Sequence, residues 1–157
     1  MRCLLTHGHY DHLLSCDQVR AEYGLYPEIH YGDKPWMAKV ERTIEEVFGE
    51  GNFHYDIVKP QRFLDDGEII KFGNHELKVI HTPGHTAGSV CYYFEKEKVL
   101  AAGDTLFYHS YGRTDLPTGS GKAMFFTLKK LLNELPGDVE VRSEERGVGE
   151  EWRSRWS

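Results

Sequence analysis

Seven residues near the start of the chain, Thr6-His7-Gly8-His9-Tyr10-Asp11-His12, hold three histidines and an aspartate at spacings that ordinary core packing does not require. In an extended segment alternate side chains share a face, so His7, His9 and Asp11 converge while His12, at the entrance to a helix, turns away. That arrangement offers ligands to two neighbouring cations: imidazole suits zinc, iron or manganese, and carboxylates bridge or complete such sites. An H-x-H-x-D-H string arises by chance in a chain of this composition on the order of once in a thousand. The alternative reading is a polar helix entrance with solvated histidines.

Composition bounds the rest. The chain has 157 residues, 39% of them hydrophobic. That is one domain's worth, able to bury roughly 68–70% of its unfolded surface without covalent staples. Cys3, Cys16 and Cys91 form neither a disulfide framework nor a CxxC knuckle, which points to buried thiols in a reducing compartment and a cytoplasmic location. The formal charge of -6, with Lys129-Lys130 the only adjacent basic pair, argues against a nucleic-acid partner. No apolar stretch approaches the roughly 20 residues of a membrane span, and MRCLLTHGHY does not read as a signal peptide, so no membrane partner is expected. Oligomeric state is not specified.

Residues 3–6 read as a short buried strand running into the histidine cluster. Leu13, Leu14, Cys16, Val19 and Tyr23 predict a helix over 12–23, stopped by Gly24. A strand is expected near 28–31. Asp33 as N-cap, Pro35 in the first turn and the stripe Trp36, Val40, Ile44, Val47 predict a second helix to about Phe48. Residues 49–62 read as loop. Beyond them the pattern changes to β, giving strands at 68–72 and 75–81 around Gly73-Asn74, then at 89–94 and 98–102 around a charged turn. A helix over 121–135, closed by Pro136-Gly137, leads to a strand at 139–141.

Two further places carry chemistry. His85 sits in Thr82-Pro83-Gly84-His85-Thr86-Ala87-Gly88, between the hairpins, where glycines permit close backbone approach. Asp104, in Ala102-Gly103-Asp104-Thr105, ends an apolar strand and reads as a ligand, a cap or a turn residue. With the first cluster, these strand ends suffice to assemble an open metal site.

THGHYDH, TPGHTAGS and AGDTLF, in this order and at these intervals, resemble the metallo-β-lactamase-fold hydrolases, and within them the compact glyoxalase II-like (hydroxyacylglutathione hydrolase-like) group. The resemblance covers residues 1–141. Gly112-Arg113-Thr114-Asp115-Leu116 is also similar to that group and to the persulfide dioxygenases. The aspartate of GDTLF sets the chain apart from the pattern expected of true β-lactamases.

The resemblance implies an α/β fold, the four-layer αβ/βα sandwich, with metals at one edge. It implies that His7, His9 and His85 hold a first ion, that Asp11 and His12 hold a second, and that Asp104 bridges the two. It further implies two zinc ions in the full-length parent, with iron as the other candidate, and attack of metal-activated water on a small-molecule thioester without a serine or cysteine nucleophile. Asp11 would also orient the attacking group. Arg113, nine residues after Asp104, stands where the thioesterases carry a basic residue near the substrate; it pairs either with a glutathione carboxylate or within an ordinary loop salt bridge. His109 and Tyr111 are candidates for the same entrance, and His30, His54, His75 and His81 read as surface or structural.

The family pattern starts with a strand hairpin before THxHxDH and continues, after LPGDVEV, into a Pro-Gly-His-Gly turn whose histidine completes the second metal site. Here RSEERGVGEEWRSRWS follows instead, without helical or alternating period and resembling translated sequencing adapter. The expectation is a domain over 1–141, incomplete at both ends, and a non-native disordered tail over 142–157 with a weakened second metal site. Three functions stay open: a thioester hydrolase, a persulfide dioxygenase using His7, His85 and Asp104 around one iron, or an inactive metal-binding fragment. The compact group lacks the helical domain of the larger glutathione thioesterases, which leaves the thiol carrier open.

Overall fold

The computed structural model describes residues 1–51, 56 and 58–143, apart from the Glu41 side chain. The elements are β1 (Cys3–Leu4), α1 (Tyr10–Leu13), α2 (Cys16–Tyr23), β2 (Pro27–His30), a 3₁₀ turn (Tyr31–Asp33), α3 (Lys34–Met37), α4 (Val40–Phe48), β3 (Arg62–Leu64), β4 (Ile69–Phe72), β5 (His75–His81), β6 (Val90–Phe94), β7 (Val99–Gly103), β8 (Leu106–Phe107), β9 (Ser110–Tyr111), α5 (Gly121–Glu134) and β10 (Glu140–Ser143). A parallel sheet holds β1, β2 and β3 in that order. A second sheet runs β10-β7-β6-β5-β4, with β10 parallel to β7 and its other pairs antiparallel.

Alternation along the central strands builds the layers. Successive side chains of a strand point to opposite faces. Val79, Val90 and Tyr92 therefore join Leu64 and Leu4 in a core between the sheets. Ile80, Cys91, Tyr93, Leu100 and Ala102 face the other way, against Leu131 and Leu135 of α5. A third cluster, Leu13, Cys16, Val40 and Ile44 with Leu5 beside it, packs α1, α2 and α4 over the far side of the small sheet. The order α5, large sheet, small sheet, helices is the four-layer αβ/βα sandwich. Strands buried on both faces show no polar side, which is why β6 reads VCYYF.

Local expectations hold in type and shift in extent. The helix expected over 12–23 is two pieces, and it starts at Tyr10 because His9 is still extended (φ −68°, ψ 151°) and caps α1. Ser15, at φ −99° and ψ 2°, breaks the helix so that Leu13 and Cys16 both reach the core. Gly24, left-handed at φ 67°, closes α2 as its position suggests. The second helix likewise divides into α3 and α4 at Ala38 and Lys39. The expected loop 49–62 ends in β3, three residues too short for a period to show, and residues 52–55 and 57 lie outside the described part. β8 and β9, two residues each, were equally invisible as patterns. β10 pairs with β7 as far as Ser143, two residues past the expected boundary. The rest of the expected tail, 144–157, lies outside the described residues, as does His54. Among the described residues no helix is long and apolar enough to cross a membrane.

Candidate metal centre

Three strand ends meet at one edge of the sandwich. Past β1 the chain bends at Thr6, held to the small sheet by Leu5 N–H to the Glu28 carbonyl (3.0 Å) and to the large one by Val90 N–H to the Thr6 carbonyl (2.8 Å). Asp104 follows β7 directly, and His85 lies in the connection from β5 to β6. The result is two overlapping groups whose candidate ligand atoms lie within 4.8 Å of one another: His7, His9 and His85, all buried, and His7, His12 and Asp104. Asp104 reaches toward both, with Oδ2 3.5 Å from His85 Nε2 and Oδ1 3.7 Å from His12 Nε2.

The donor set fits a cation. His7 Nε2 and His9 Nε2 are buried and have no hydrogen-bond partner among the described residues, a costly state for imidazoles that serve structure alone. His9 Nδ1 and His85 Nε2 face each other at 2.9 Å. Two ligands each about 2.0–2.2 Å from one ion stand roughly 3.0–3.5 Å apart, so these gaps are of the size an ion spans. Outward-facing nitrogens are engaged: His85 Nδ1–H donates to the Arg113 carbonyl at 2.8 Å, leaving Nε2 as the electron-pair donor, and Thr6 Oγ1 lies 3.2 Å from His7 Nδ1. Burial, reinforced by His12, His9 and His85, drives the His7 pKa far below the ordinary imidazole range. Burial and then His85 push His9 down to about 4, against the opposing charge of Asp11. Both rings are therefore neutral at physiological pH, the form that binds metal.

Residues 3–142 match the sequence family described as the metallo-beta-lactamase superfamily. The chain belongs to that superfamily. Over 139 residues it is 32% identical to the hydroxyacylglutathione hydrolase GloC of Haemophilus influenzae, covering 88% of this chain and 65% of the relative. Across the first five curated relatives the match spans 60–69% of their length. Two solved structures superpose closely. TTHA1623, solved in a di-iron-bound form, gives a TM-score of 0.80 at 30% identity over 93% of this chain and 70% of that one. The B3 metallo-beta-lactamase BLEG-1 gives 0.79 at 31% identity over 94% and 70%. The superfamily's metal-binding character agrees with the His and Asp groups at the sheet edge.

Not every residue singled out in the sequence sits where alternation places it. Because α1 begins at Tyr10, the strand-like face ends at His9; His12, expected to turn away, has its ring 4.0 Å from that of His7. Asp11, in the first turn of α1, is exposed and belongs to neither group. The Arg113 guanidinium forks onto Asp115, Nε to Oδ1 at 2.8 Å and Nη2 to Oδ2 at 2.7 Å. That pairing holds the Asp115 carboxyl below its usual range. Arg113 touches the centre through its backbone carbonyl, which no sequence pattern advertises.

Two residues packed beside this centre were read in the sequence only as structural. Trp36, read as part of a helical stripe, stands edge-on to His9 with ring centroids 4.6 Å apart. Its indole N–H donates to Thr118 Oγ1 at 2.8 Å. Asp33, read as an N-cap, makes no side-chain capping bond to α3. Its fully buried carboxylate instead accepts from Gly8 N–H, Thr86 Oγ1 and Gly88 N–H.

Proposed function

We propose that the chain acts as a metal-dependent hydrolase of small thioesters, hydroxyacylglutathione among them, with two divalent ions, zinc foremost and iron as the other candidate. The observation that carries this reading is the Asp104 carboxylate, which sends one oxygen toward each histidine group as a bridging ligand does. His7, His9 and His85 would hold one ion, and Asp11 and His12, with Asp104 between, the other. Ions held there supply Lewis acidity toward a carbonyl oxygen and acidify bound water to near neutrality. The protein's own part is to hold these six donors at one sheet edge and to provide a base. Asp11, exposed and near enough for its charge to act on His9, would orient the attacking water and hold its proton.

A thiol nucleophile finds no support. Burial pushes the Cys16 thiol up to about 12 and that of Cys91 up to about 11, so neither supplies a thiolate. A substrate carboxylate binding Arg113 would take the place of Asp115 in the bidentate pair. The identity to the Haemophilus enzyme favours a thioester as the substrate class, and three free cysteines suit a reducing, cytoplasmic setting.

The test is metal analysis paired with three substrates on purified protein. Thioester cleavage of lactoylglutathione, abolished by chelation and restored by zinc, is the expected result. One iron per chain with oxygen uptake on glutathione persulfide would replace this reading by the dioxygenase. Cleavage of a β-lactam alone would replace it by a lactamase.

A further inference from the structure

We infer that Asp33 is a positioning residue for the metal centre, its carboxylate locking together the two loops that carry the first three ligands. The inference rests on the reading that His7, His9 and His85 hold an ion. Oδ2 accepts from Gly8 N–H at 2.8 Å and from Thr86 Oγ1 at 2.8 Å, while Oδ1 accepts from Gly88 N–H at 2.7 Å. Gly8 lies between His7 and His9, and Thr86 follows His85. One side chain thus spans loops 25 and 53–55 residues distant in sequence. No other hydrogen bond between side chains or from side chain to backbone joins the two loops among those described, apart from the facing nitrogens of His9 and His85 themselves.

The surroundings are shaped for a carboxylate. All three neighbours are donors, so an acceptor-only group satisfies them, whereas an amide would set its own NH₂ against an N–H or O–H. Backbone approach is equally specific: a Cβ on Gly88 would stand 2.4 Å from Asp33 N and 2.6 Å from its Cγ, and one on Gly8 3.2 Å from Asp33 Cβ. The glycines of THGH and HTAG thereby acquire a purpose the metal itself does not give them. Thr86 Oγ1 is steadied in turn by Ser89 Oγ at 2.8 Å. Partners of this outer kind orient ligands, and losing one typically lowers metal affinity about 10- to 100-fold.

The experiment uses the full chain and cobalt(II) as probe, because its visible ligand-field spectrum reports geometry independently of turnover. Wild type, Asp33→Asn and Thr86→Val are titrated well below the melting temperature of each metal-free protein. Expected are a 10- to 100-fold weaker affinity and an altered spectrum for Asp33→Asn, with a smaller shift in the same direction for Thr86→Val, which keeps two of the three bonds. A residue that merely stabilises the fold would lower the metal-free melting temperature and leave affinity and spectrum untouched; that result overturns the proposal. Should Asp33→Asn not fold, an unchanged affinity and spectrum in Thr86→Val overturns it. Failure of the wild type itself to bind cobalt would sink the metal-site reading, and this inference with it.

Discussion

Each histidine of the first group has one nitrogen aimed inward, and in two of them the other is held from behind. The Arg113 carbonyl fixes the His85 tautomer, and the Thr6 hydroxyl faces His7 Nδ1. Truncating His85 to Ala should therefore remove at least the first ion, seen as a metal content per chain well below that of wild type after dialysis. Asp11→Asn, assayed in a metal-loaded sample, is expected to lose turnover about 10²-fold, within the usual reach of a general base; full turnover in that sample would dispose of the role. Gly112 is the least replaceable glycine nearby, since a Cβ there would fall 1.8 Å from the Asp104 carbonyl oxygen and 3.2 Å from His85 Nδ1. Gly112→Ala should cost roughly 1–3 kcal/mol by overpacking and weaken metal binding, readable by denaturant melts and metal titration on one sample.

At the level of elements, α5 does more than cover the large sheet. Its cap Ser120 accepts from Ala123 N–H at 3.2 Å and donates its own backbone N–H to the Gly84 carbonyl at 2.8 Å. Thr127 Oγ1 donates to the Pro83 carbonyl at 2.7 Å, so the loop before His85 hangs from the helix. Leu131, 1% exposed, anchors the helix in its core. Leu131→Ala should destabilise the fold by about 2–5 kcal/mol. Thr127→Val, losing one hydrogen bond to a partly buried carbonyl, should cost about 1 kcal/mol; equal midpoints in urea for the two variants would contradict this division. Helices and strands of this length were legible because their faces repeat. The breaks at Ser15 and Ala38 were not, since the apolar spacing continues across them and only packing against the small sheet shows where the axis turns.

For the whole molecule, the buried neutral imidazoles tie stability to pH. His7 and His9 have folded pKa values below their unfolded value near 6.5, His9 at about 4. The stability they contribute is full above about 6.5 and is lost as pH falls toward 4, because the unfolded chain then binds protons the folded one refuses. In chelator, the melting temperature should drop across that window; a flat profile from pH 7 to 4.5 would contradict the burial of both rings. Metal binding only to the folded state should add about 2.7 kcal/mol at a free concentration of 100 times Kd, visible as a concentration-dependent melting temperature. Its loss on acidification should be steeper still, since protons compete for the same nitrogens.

The chain's local order determined which residue types could hold a cation and where strands and helices lie. His-x-His, the lone His85 and Asp104 at strand ends, and the strand-and-turn pattern from 69 to 103 are all short-range facts. Tertiary structure alone decided which of them meet. Asp33 reads as a cap from its neighbours, yet its partners lie 25 to 55 residues away. Arg113 reads either as a substrate cation or as half of a loop salt bridge; its guanidinium pairs with Asp115, and its carbonyl orients His85. Periodicity assigns a side chain to a face within its own element. Which loop that face confronts depends on how four layers stack, and no spacing along the chain encodes a hydrogen bond between two sheets.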